Sequence, residues 1–319
     1  MKLGVCLQAL YHLPFEEAIR AAASLGYEAV ELPVDSRSPF VDLEAALNGD
    51  WKRIQRAIEA AGLEISALSN HQEGQLLLGP HGEDTDPIFK GSPKAKIDYA
   101  EHRLRCTADL AKLLDVTVVC GFTGCEDYSR WFPWPLADGY ERMASVFRER
   151  LLPILDHFDA RGVRFAHECH PRQFAYNLET ALWTVDLLDG HSAWAFNLDP
   201  GNLALAGVDP VVFVSELRDR IVHVHAKDCE RVAHNIDRSG LLAHGPWNRP
   251  DRGFRFRVPG WGGIPWKRLI SELQMRGYRG VLAVEHEDPT MDPIEGLEQA
   301  RDYLQPKLLR RPPPQTTWW

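Results

Sequence analysis

Short runs of aliphatic and β-branched residues alternate along the chain with longer stretches whose apolar residues repeat at helical spacing. The runs predict eight strands, at residues 3–7, 29–32, 64–68, 116–120, 163–168, 193–199, 221–226 and 281–285. Each strand is followed by a predicted helix, at residues 15–25, 51–61, 94–114, 139–160, 178–188, 210–217, 266–275 and 293–304. Pro153 is expected to kink the fourth helix or to divide it.

Eight strand–helix units in succession are typical of an α/β protein with a (β/α)₈ TIM barrel, here a single domain over residues 1–308. A doubly wound open sheet is the alternative. That fold usually carries a glycine-rich turn after its first strand, whereas residues 6–10 read Cys-Leu-Gln-Ala-Leu. The sequence therefore favours the barrel.

Two insertions interrupt this rhythm, and both follow strands. Residues 71–93 come after the third strand and residues 227–265 after the seventh, so the barrel would have long βα loops at the face where active sites form. The second insertion is rich in arginine and aromatic residues, which is consistent with a lid over a substrate or with packing on the barrel or another subunit. The Pro/Trp-rich tail, residues 309–319, lies outside the eight units, and its terminal tryptophans suggest docking or a disordered end.

Composition and charge narrow the class of protein. The chain has 319 residues, of which 45% are hydrophobic and 25% charged, as in an ordinary globular protein. Its formal net charge of -9 disfavours nucleic acid as a partner. No signal segment or run of apolar residues long enough for a membrane is found, and the six cysteines form no C-x-x-C pair. We therefore expect a cytoplasmic protein with free thiols and no membrane partner.

Ionisable side chains stand at the ends of four consecutive predicted strands, namely Glu168, Asp199, His225 and Glu285. If they point to the barrel axis, three carboxylates converge, and a divalent cation removes their repulsion. Three oxygen ligands and one imidazole suit Mn²⁺ best, with Mg²⁺ or Co²⁺ as alternatives. Each residue taken alone has a structural explanation, such as a turn at Asp199 or a core histidine at position 225. Their occurrence together is what favours one metal ion.

Five sequence stretches in this order resemble the xylose isomerase-like TIM-barrel superfamily, and within it the sugar phosphate isomerase/epimerase family. They are residues 167–171 (HECHP), 198–202 (LDPGN), 223–228 (HVHAKD), 259–262 (PGWG) and 284–288 (VEHED). The resemblance implies that Glu168, Asp199, His225 and Glu285 are the metal ligands. Related ketose epimerases have an arginine six residues after the ligand histidine, and Arg231 stands at that position here. Asn202 stands where those enzymes often have a histidine.

The resemblance implies a sugar or keto-sugar isomerase or epimerase that works by proton transfer through a metal-stabilised enediolate. Glu168 and Glu285 would be the catalytic base and acid on opposite faces of a small carbohydrate substrate. Return of the proton to the same carbon or to its neighbour would decide between epimerisation and isomerisation, which the sequence leaves open. A homo-oligomer is expected from the family. Six further residues are predicted substrate contacts: His71, His170, Asn202, Lys227, Arg231 and Trp261. The alternative for Lys227 is a surface ion pair with Asp228, and the alternative for His71 is an exposed loop histidine.

Three other functions are considered. A metal-dependent lyase or dehydratase on a keto-glycoside or keto-inositol could use the same enediolate, including deglycosylation of a 3-keto-glycoside. An apurinic-site endonuclease shares the barrel but needs more rim histidines and a basic face. A non-catalytic sugar-binding or partner subunit would have little use for an intact set of converging carboxylates.

Overall fold

The computed structural model describes residues 1–132, 135, 137–246 and 248–311. Eight parallel strands form a closed barrel, so the predicted TIM barrel is confirmed. Its strands are β1 Lys2–Cys6, β2 Ala29–Pro33, β3 Glu64–Asn70, β4 Val118–Gly121, β5 Arg164–Glu168, β6 Trp194–Leu198, β7 Ile221–Ala226 and β10 Val281–Val284. They follow one another around the barrel in the order β1-β10-β7-β6-β5-β4-β3-β2. An antiparallel hairpin of β8 Asp228–Arg231 and β9 Phe254–Arg257 interrupts the series.

Helices surround the barrel, and most agree with the predicted ones to within a few residues. They are α1 Phe15–Ser24, α2 Leu43–Ala45, α3 Trp51–Ala60, α4 His71–Gln75, α5 Pro93–Leu113, α6 Met143–Asp159, α7 Leu178–Leu187, α8 Pro200–Leu205, α9 Pro210–Leu217, α10 Ala233–Ser239, α11 Trp266–Met275 and α12 Pro293–Leu304. Pro153 lies inside α6 and does not divide it. This proline is exposed, on the side of the helix where water can satisfy the carbonyl that loses its partner.

The two predicted long loops contain regular structure. The first begins with α4, and Lys96 of α5 anchors its later part because Nζ donates to Gly82 O at 2.6 Å and to Thr85 Oγ1 at 2.9 Å. The second folds as the β8–β9 hairpin, with α10 between its strands. Asp228 holds this excursion against the barrel, since its carboxylate accepts bonds from Ile264 N at 2.9 Å and Trp266 Nε1 at 2.8 Å.

Small side chains inside the barrel leave room for larger polar ones. In the register of the sheet, Ala67 lies beside Glu31 and Ala283 lies beside His225. Ala166 and Cys120 are paired in the same way on β5 and β4. All six cysteines are buried free thiols, as expected.

Among the described residues, no helix is long and apolar enough to cross a membrane. Trp247, Trp318 and Trp319, to which the sequence draws attention, lie outside the described residues.

Candidate metal centre

Four side chains from successive strand ends meet at the carboxyl end of the barrel. Glu168 ends β5, Asp199 follows β6, His225 lies in β7 and Glu285 follows β10. Each offers one ligand atom, and these atoms all lie within 4.8 Å of one another. The convergence inferred from strand order is therefore present in the structure. A parallel barrel produces it because all its strands end at the same rim.

Positive groups sit directly among these carboxylates. His225 Nδ1 lies 2.9 Å from Glu168 Oε2 and 3.1 Å from Glu285 Oε2. Lys227 Nζ lies 2.8 Å from Asp199 Oδ2, 2.8 Å from Glu285 Oε2 and 3.0 Å from Glu287 Oε2. We call Glu168, Asp199, His225, Lys227 and Glu285 the rim layer. In the protein without an ion, these two positive groups balance the charge of the converging carboxylates.

Several buried polar atoms of this region form no hydrogen bond with the described part of the chain. They are His71 Nε2, Asn202 Oδ1, His225 Nδ1 and Glu285 Oε2. Three of them nevertheless lie at ion-pair distance from a partner: His71 Nε2 and His225 Nδ1 from Glu168, and Glu285 Oε2 from Lys227. Unsatisfied buried polar atoms are rare in native proteins and often indicate an absent ion or water. His225 Nδ1 and Glu285 Oε2 belong to the four-residue set, and an imidazole nitrogen beside carboxylate oxygens is a donor set for a divalent cation. The residues present therefore fit one such ion.

The ionisation states follow from burial and from these contacts. Burial raises the pKa of Asp199 to about 8, although Lys227 opposes the shift. Burial also disfavours charge on Glu285, but the charges of Lys227 and His225 outweigh it and lower its pKa. For His225, burial is outweighed by Glu31, Glu285 and Glu168, which raise its pKa well above the ordinary value. Without a metal ion, His225 and Asp199 therefore both hold a proton at neutral pH.

A second polar layer lies one step deeper in the barrel, and we call it the inner layer: Glu31, Ser66, Asn197 and His223. Glu31 Oε2 accepts from His225 Nε2 at 2.8 Å and lies 3.5 Å from His223 Nδ1. Asn197 Nδ2 donates to Glu168 Oε2 at 2.8 Å. Of these residues only His223 stands in a stretch that the sequence analysis singled out, residues 223–228. The sequence patterns did not indicate Glu31, although it is a lone carboxylate within an apolar strand, Ala-Val-Glu-Leu-Pro.

Three of the predicted substrate contacts lie against the rim layer. His71 Nε2 lies 3.3 Å from Glu168 Oε2. Asn202 Nδ2 donates to Glu168 Oε1 and to Asp199 Oδ2, each at 2.8 Å, so this residue orients both carboxylates. Lys227 contacts Asp199, Glu285 and Glu287 and has no described contact with Asp228, which excludes the surface pair considered as its alternative.

His170 and His71 line a cleft that opens beside the rim layer. Both rings pack against Phe122, with centroid distances of 4.7 Å for His71 and 5.1 Å for His170. The cleft has a volume of about 240 Å³ and is also lined by Arg172 and Asp84. Arg172 Nη2 donates to Asp84 Oδ2 at 2.7 Å across this cleft. A small polar molecule could therefore reach the carboxylates from this side.

Arg231 and Trp261, the other predicted contacts, lie at the surface. Trp261 is 51% exposed and stacks on Arg257, whose guanidinium carbon is 5.5 Å from the ring centroid. Arg231 is exposed at the end of β8, and no described hydrogen bond or ion pair joins it to the rim layer. Their proposed contacts with substrate remain predictions.

Other arginines of the same excursion bind within it or to the neighbouring strand end. Arg257 pairs with Asp288 at 2.7 Å and with Glu230 at 2.7 Å. Arg249 pairs with Asp251 at 2.6 Å. Arg252 Nη1 donates to the carbonyl oxygen of Ala243 at 2.7 Å. These side chains hold the excursion together, which favours the packing interpretation of this segment for them.

Sequence comparison identifies related proteins along most of the chain. An uncharacterized protein of Bacillus subtilis (strain 168), YfiH, is 29% identical over 328 residues, covering 95% of this chain and 98% of that protein. An inosose dehydratase of Clostridium tetani (strain Massachusetts / E88) is 34% identical over 111 residues, which cover 34% of this chain and 36% of the dehydratase. The second similarity is therefore local.

Solved structures share the fold at low sequence identity. A probable 3-DHS dehydratase, AsbF, from Bacillus anthracis has a TM-score of 0.68 at 17% identity, covering 96% of this chain and 99% of that one. The 3-keto-D-glucoside 4-epimerase YcjR from E. coli has a TM-score of 0.68 at 14% identity, with coverage of 96% and 99%. An IOLI protein with a bound zinc atom has a TM-score of 0.67 at 17% identity, with coverage of 97% and 98%.

The family assignment rests on the length of the match as well as on the barrel. The family model of the xylose isomerase-like TIM barrel matches residues 19–307, and this range includes every member of the rim layer. The strand order and the position of the converging carboxylates agree with that match. The chain therefore belongs to the xylose isomerase-like TIM barrel family.

Proposed function

We propose that this protein is a divalent-metal-dependent isomerase or epimerase of a small keto-sugar or sugar derivative. The observation that carries the proposal is the rim layer, in which three carboxylates and an imidazole converge around unsatisfied buried atoms. The relatives support it, because the fold neighbours include a 3-keto-D-glucoside 4-epimerase and a protein with bound zinc. Mn²⁺ is our preferred ion, and zinc, Mg²⁺ and Co²⁺ are the alternatives to test.

In this proposal Glu168, Asp199, His225 and Glu285 hold the ion. When bound, a divalent cation supplies Lewis-acid polarisation of a substrate carbonyl. Glu168 and Glu285 come from strands β5 and the end of β10, and they approach His225 Nδ1 from these two strands. Both have lowered pKa values, since the charges of His225 and Lys227 outweigh the cost of burial for Glu285 and those of His225 and His71 do so for Glu168. Each is therefore ionised in the metal-free protein, which is the state that both a cation ligand and a proton acceptor require.

The surrounding residues would position the substrate. Asn202 and Asn197 donate to Glu168 and hold its carboxylate in one orientation. His71 and His170 offer imidazole groups at the cleft where a sugar hydroxyl would lie. Arg249, Arg252 and Arg257 make bonds within their own segment or to Asp288, so they favour a substrate without a phosphate group.

A lyase or dehydratase on a keto-inositol or keto-glycoside is the second candidate. Lys227 favours it, because its ammonium group lies 2.8 Å from Glu285 and could donate a proton to a departing oxygen. The local similarity to inosose dehydratase supports the same candidate. Both reactions begin with removal of a proton next to a carbonyl. They differ in whether a proton then returns to carbon or an oxygen substituent leaves from the neighbouring carbon.

The test combines metal analysis with a substrate panel in D₂O. The protein is loaded in turn with Mn²⁺, Mg²⁺, Co²⁺ and Zn²⁺ and incubated with keto-hexoses, 3-keto-glycosides and a keto-inositol. We expect ¹H NMR to show carbon-bound hydrogen exchanging for deuterium with retention of the carbon skeleton, at one ion per chain. Loss of water or of an aglycone would select the lyase. If no ion binds at Glu168, Asp199, His225 and Glu285, the proposed function is wrong.

A further inference from the structure

Glu31 is a fully buried carboxylate directly behind the imidazole of the proposed metal site. Its Oε2 accepts a hydrogen bond from His225 Nε2 at 2.8 Å, and both side chains have no exposed surface. Its other oxygen accepts from Cys6 Sγ at 3.4 Å. Burial of a carboxylate is costly unless it is paired and hydrogen-bonded. The Glu31 carboxylate is hydrogen-bonded to Nε2 of the His225 ring, and the other ring nitrogen, Nδ1, faces Glu168 and Glu285.

The backbone departs from regular pairing where this contact is made. Between β2 and β3 the register shifts between Val30 and Glu31, so that Ser66 has no partner opposite it. Ser66 Oγ bonds instead to Val30 O at 3.1 Å and lies 3.2 Å from His223 Nε2. Bulges of this kind redirect side chains and are common beside active sites.

A second irregularity occurs on the opposite side of the same layer. The register between β6 and β7 shifts between Phe196 and Asn197. Asn197 Oδ1 lies 3.2 Å from His223 Nδ1, and the same side chain donates to Glu168 Oε2. The inner layer is thus built from two displaced strand pairs, and it touches the rim layer at Glu168 and His225.

We propose that Glu31 is a positioning residue for the metal centre: it accepts the Nε2 proton of His225 and so directs the Nδ1 lone pair toward Glu168, Asp199 and Glu285. The inference rests on the proposed function, since it assumes that an ion binds there. A hydrogen bond at one ring nitrogen sets which nitrogen is free to ligate and also fixes the ring plane. Here Nε2 of the His225 ring contacts the Glu31 carboxylate, and Nδ1 on the opposite edge of the ring forms no hydrogen bond and faces the candidate ligand atoms.

A purely structural role for Glu31 predicts a different outcome. If the Glu31–His225 contact served only core packing, its loss would change the stability of the fold but not the affinity or coordination of an ion at the rim. Removal of a positioning residue would instead let the ring rotate or change tautomer. Loss of such outer partners typically weakens metal binding by about 10- to 100-fold.

The experiment compares Glu31→Gln and Glu31→Ala with a matched control, Glu73→Gln. Glu73 is also a fully buried carboxylate near the same rim, but it pairs with Arg103 at 3.4 Å and accepts from Ser36 N at 2.7 Å. Metal affinity is measured by competition with a chelating dye in full-length protein. Visible absorption of the Co²⁺-loaded protein reports the ligand geometry independently of activity. Circular dichroism checks that each variant is folded.

We expect Glu31→Gln to bind Co²⁺ about 10-fold more weakly and Glu31→Ala about 100-fold more weakly, both with altered Co²⁺ absorption. Glu73→Gln should match the wild type in both measurements. Wild-type affinity and absorption in a folded variant that has no acceptor at this position, either Glu31→Ala or the similarly shaped Glu31→Leu, would overturn the inference, because the amide oxygen of glutamine can still accept the Nε2 proton. If the wild-type protein itself bound no ion at the rim, the proposed function would fail instead, so the two failures are distinguishable.

Discussion

The rim layer and the inner layer are neighbouring polar layers of one barrel, but their hydrogen bonding differs. In the inner layer, both ring nitrogens of His223 have partners, at Asn197 Oδ1 and Ser66 Oγ. In the rim layer, His225 Nδ1 and Glu285 Oε2 lie close to each other without a hydrogen bond. The inner layer is joined by hydrogen bonds, whereas the rim layer is held by close ion pairs of His225 and Lys227 with Glu168, Asp199 and Glu285, whose positive charge a bound cation would replace. This difference is why we place chemistry in the rim layer and support in the inner layer.

The largest expected effect comes from neutralising the rim carboxylates. Glu168→Gln and Glu285→Gln should each lower turnover by about 10²- to 10⁴-fold, because an amide cannot accept the substrate proton. Both variants should keep the fold, since glutamine has nearly the same shape. Deuterium exchange from D₂O into the identified substrate measures the loss. Glu73→Gln is the control, and turnover at its level in either rim variant would remove that glutamate from catalysis.

Removal of the Lys227 ammonium group should destabilise the metal-free protein more than the metal-loaded protein. Lys227→Met leaves Asp199 and Glu285 without their nearest cation, and breaking a buried ion pair in this way costs about 3 kcal/mol or more of unfolding free energy. A bound ion would restore positive charge among the same carboxylates. Urea unfolding with EDTA and with saturating Mn²⁺ should therefore show a larger deficit with EDTA. Equal deficits in the two conditions would contradict a cation site at the rim.

The protonation of the rim layer predicts that metal affinity rises with pH. Asp199, with a pKa of about 8, and His225, with its raised pKa, both carry a proton in the metal-free protein at pH 7. Both must lose it to become ligands, so affinity should increase by up to about 100-fold per pH unit between pH 6 and 7. Calorimetry in buffers of different ionisation enthalpy counts the protons released. Affinity that does not change with pH would show that these two residues are not ligands.

The smallest effect concerns the inner layer at acidic pH. Burial lowers the pKa of His223 to about 4, whereas the unfolded chain binds the same proton near its ordinary pKa of about 6.5. The unfolded state therefore holds more protons between these values, and stability falls as the pH drops through that window. We expect His223 to account for about 1.6 kcal/mol of loss between pH 6.5 and 5. His223→Asn, compared with the wild type in EDTA, should lack that part of the pH dependence.

Strand order was enough to predict that the four side chains of the candidate metal site converge, but it could not reveal which residues lie behind them. Glu168, Asp199, His225 and Glu285 follow from the common direction of parallel strands, which brings their ends to one rim. Glu31 is far from them in the chain, and it meets His225 only because β2 and β7 face each other across a closed barrel. No local sequence pattern indicates that Glu31 and His225 are in contact.

The two long insertions also contain elements that the sequence pattern did not predict. Their positions after the third and seventh strands were readable from the pattern, but the β8–β9 hairpin and α4 within them were not. The hairpin pairs Asp228–Arg231 with a segment more than twenty residues later, and Asp228 joins it to the barrel through Trp266. Long-range pairings of this kind depend on closing a loop, and they leave little periodic signal.

Periodic burial along the chain is a local property, so the order of residues predicts the alternation of strands and helices, the barrel, and the rim where the four candidate ligands converge. The contacts and the orientation of each rim side chain depend on the residues that surround it in the folded barrel. Whether Asn202 contacts substrate or orients Glu168, whether Lys227 pairs with Asp228 or with Asp199, and which nitrogen of His225 faces the carboxylates depend on distances of a few ångströms between strands. Those distances arise only when the barrel closes, because closure brings together residues that are remote in sequence and removes the water that would otherwise satisfy them.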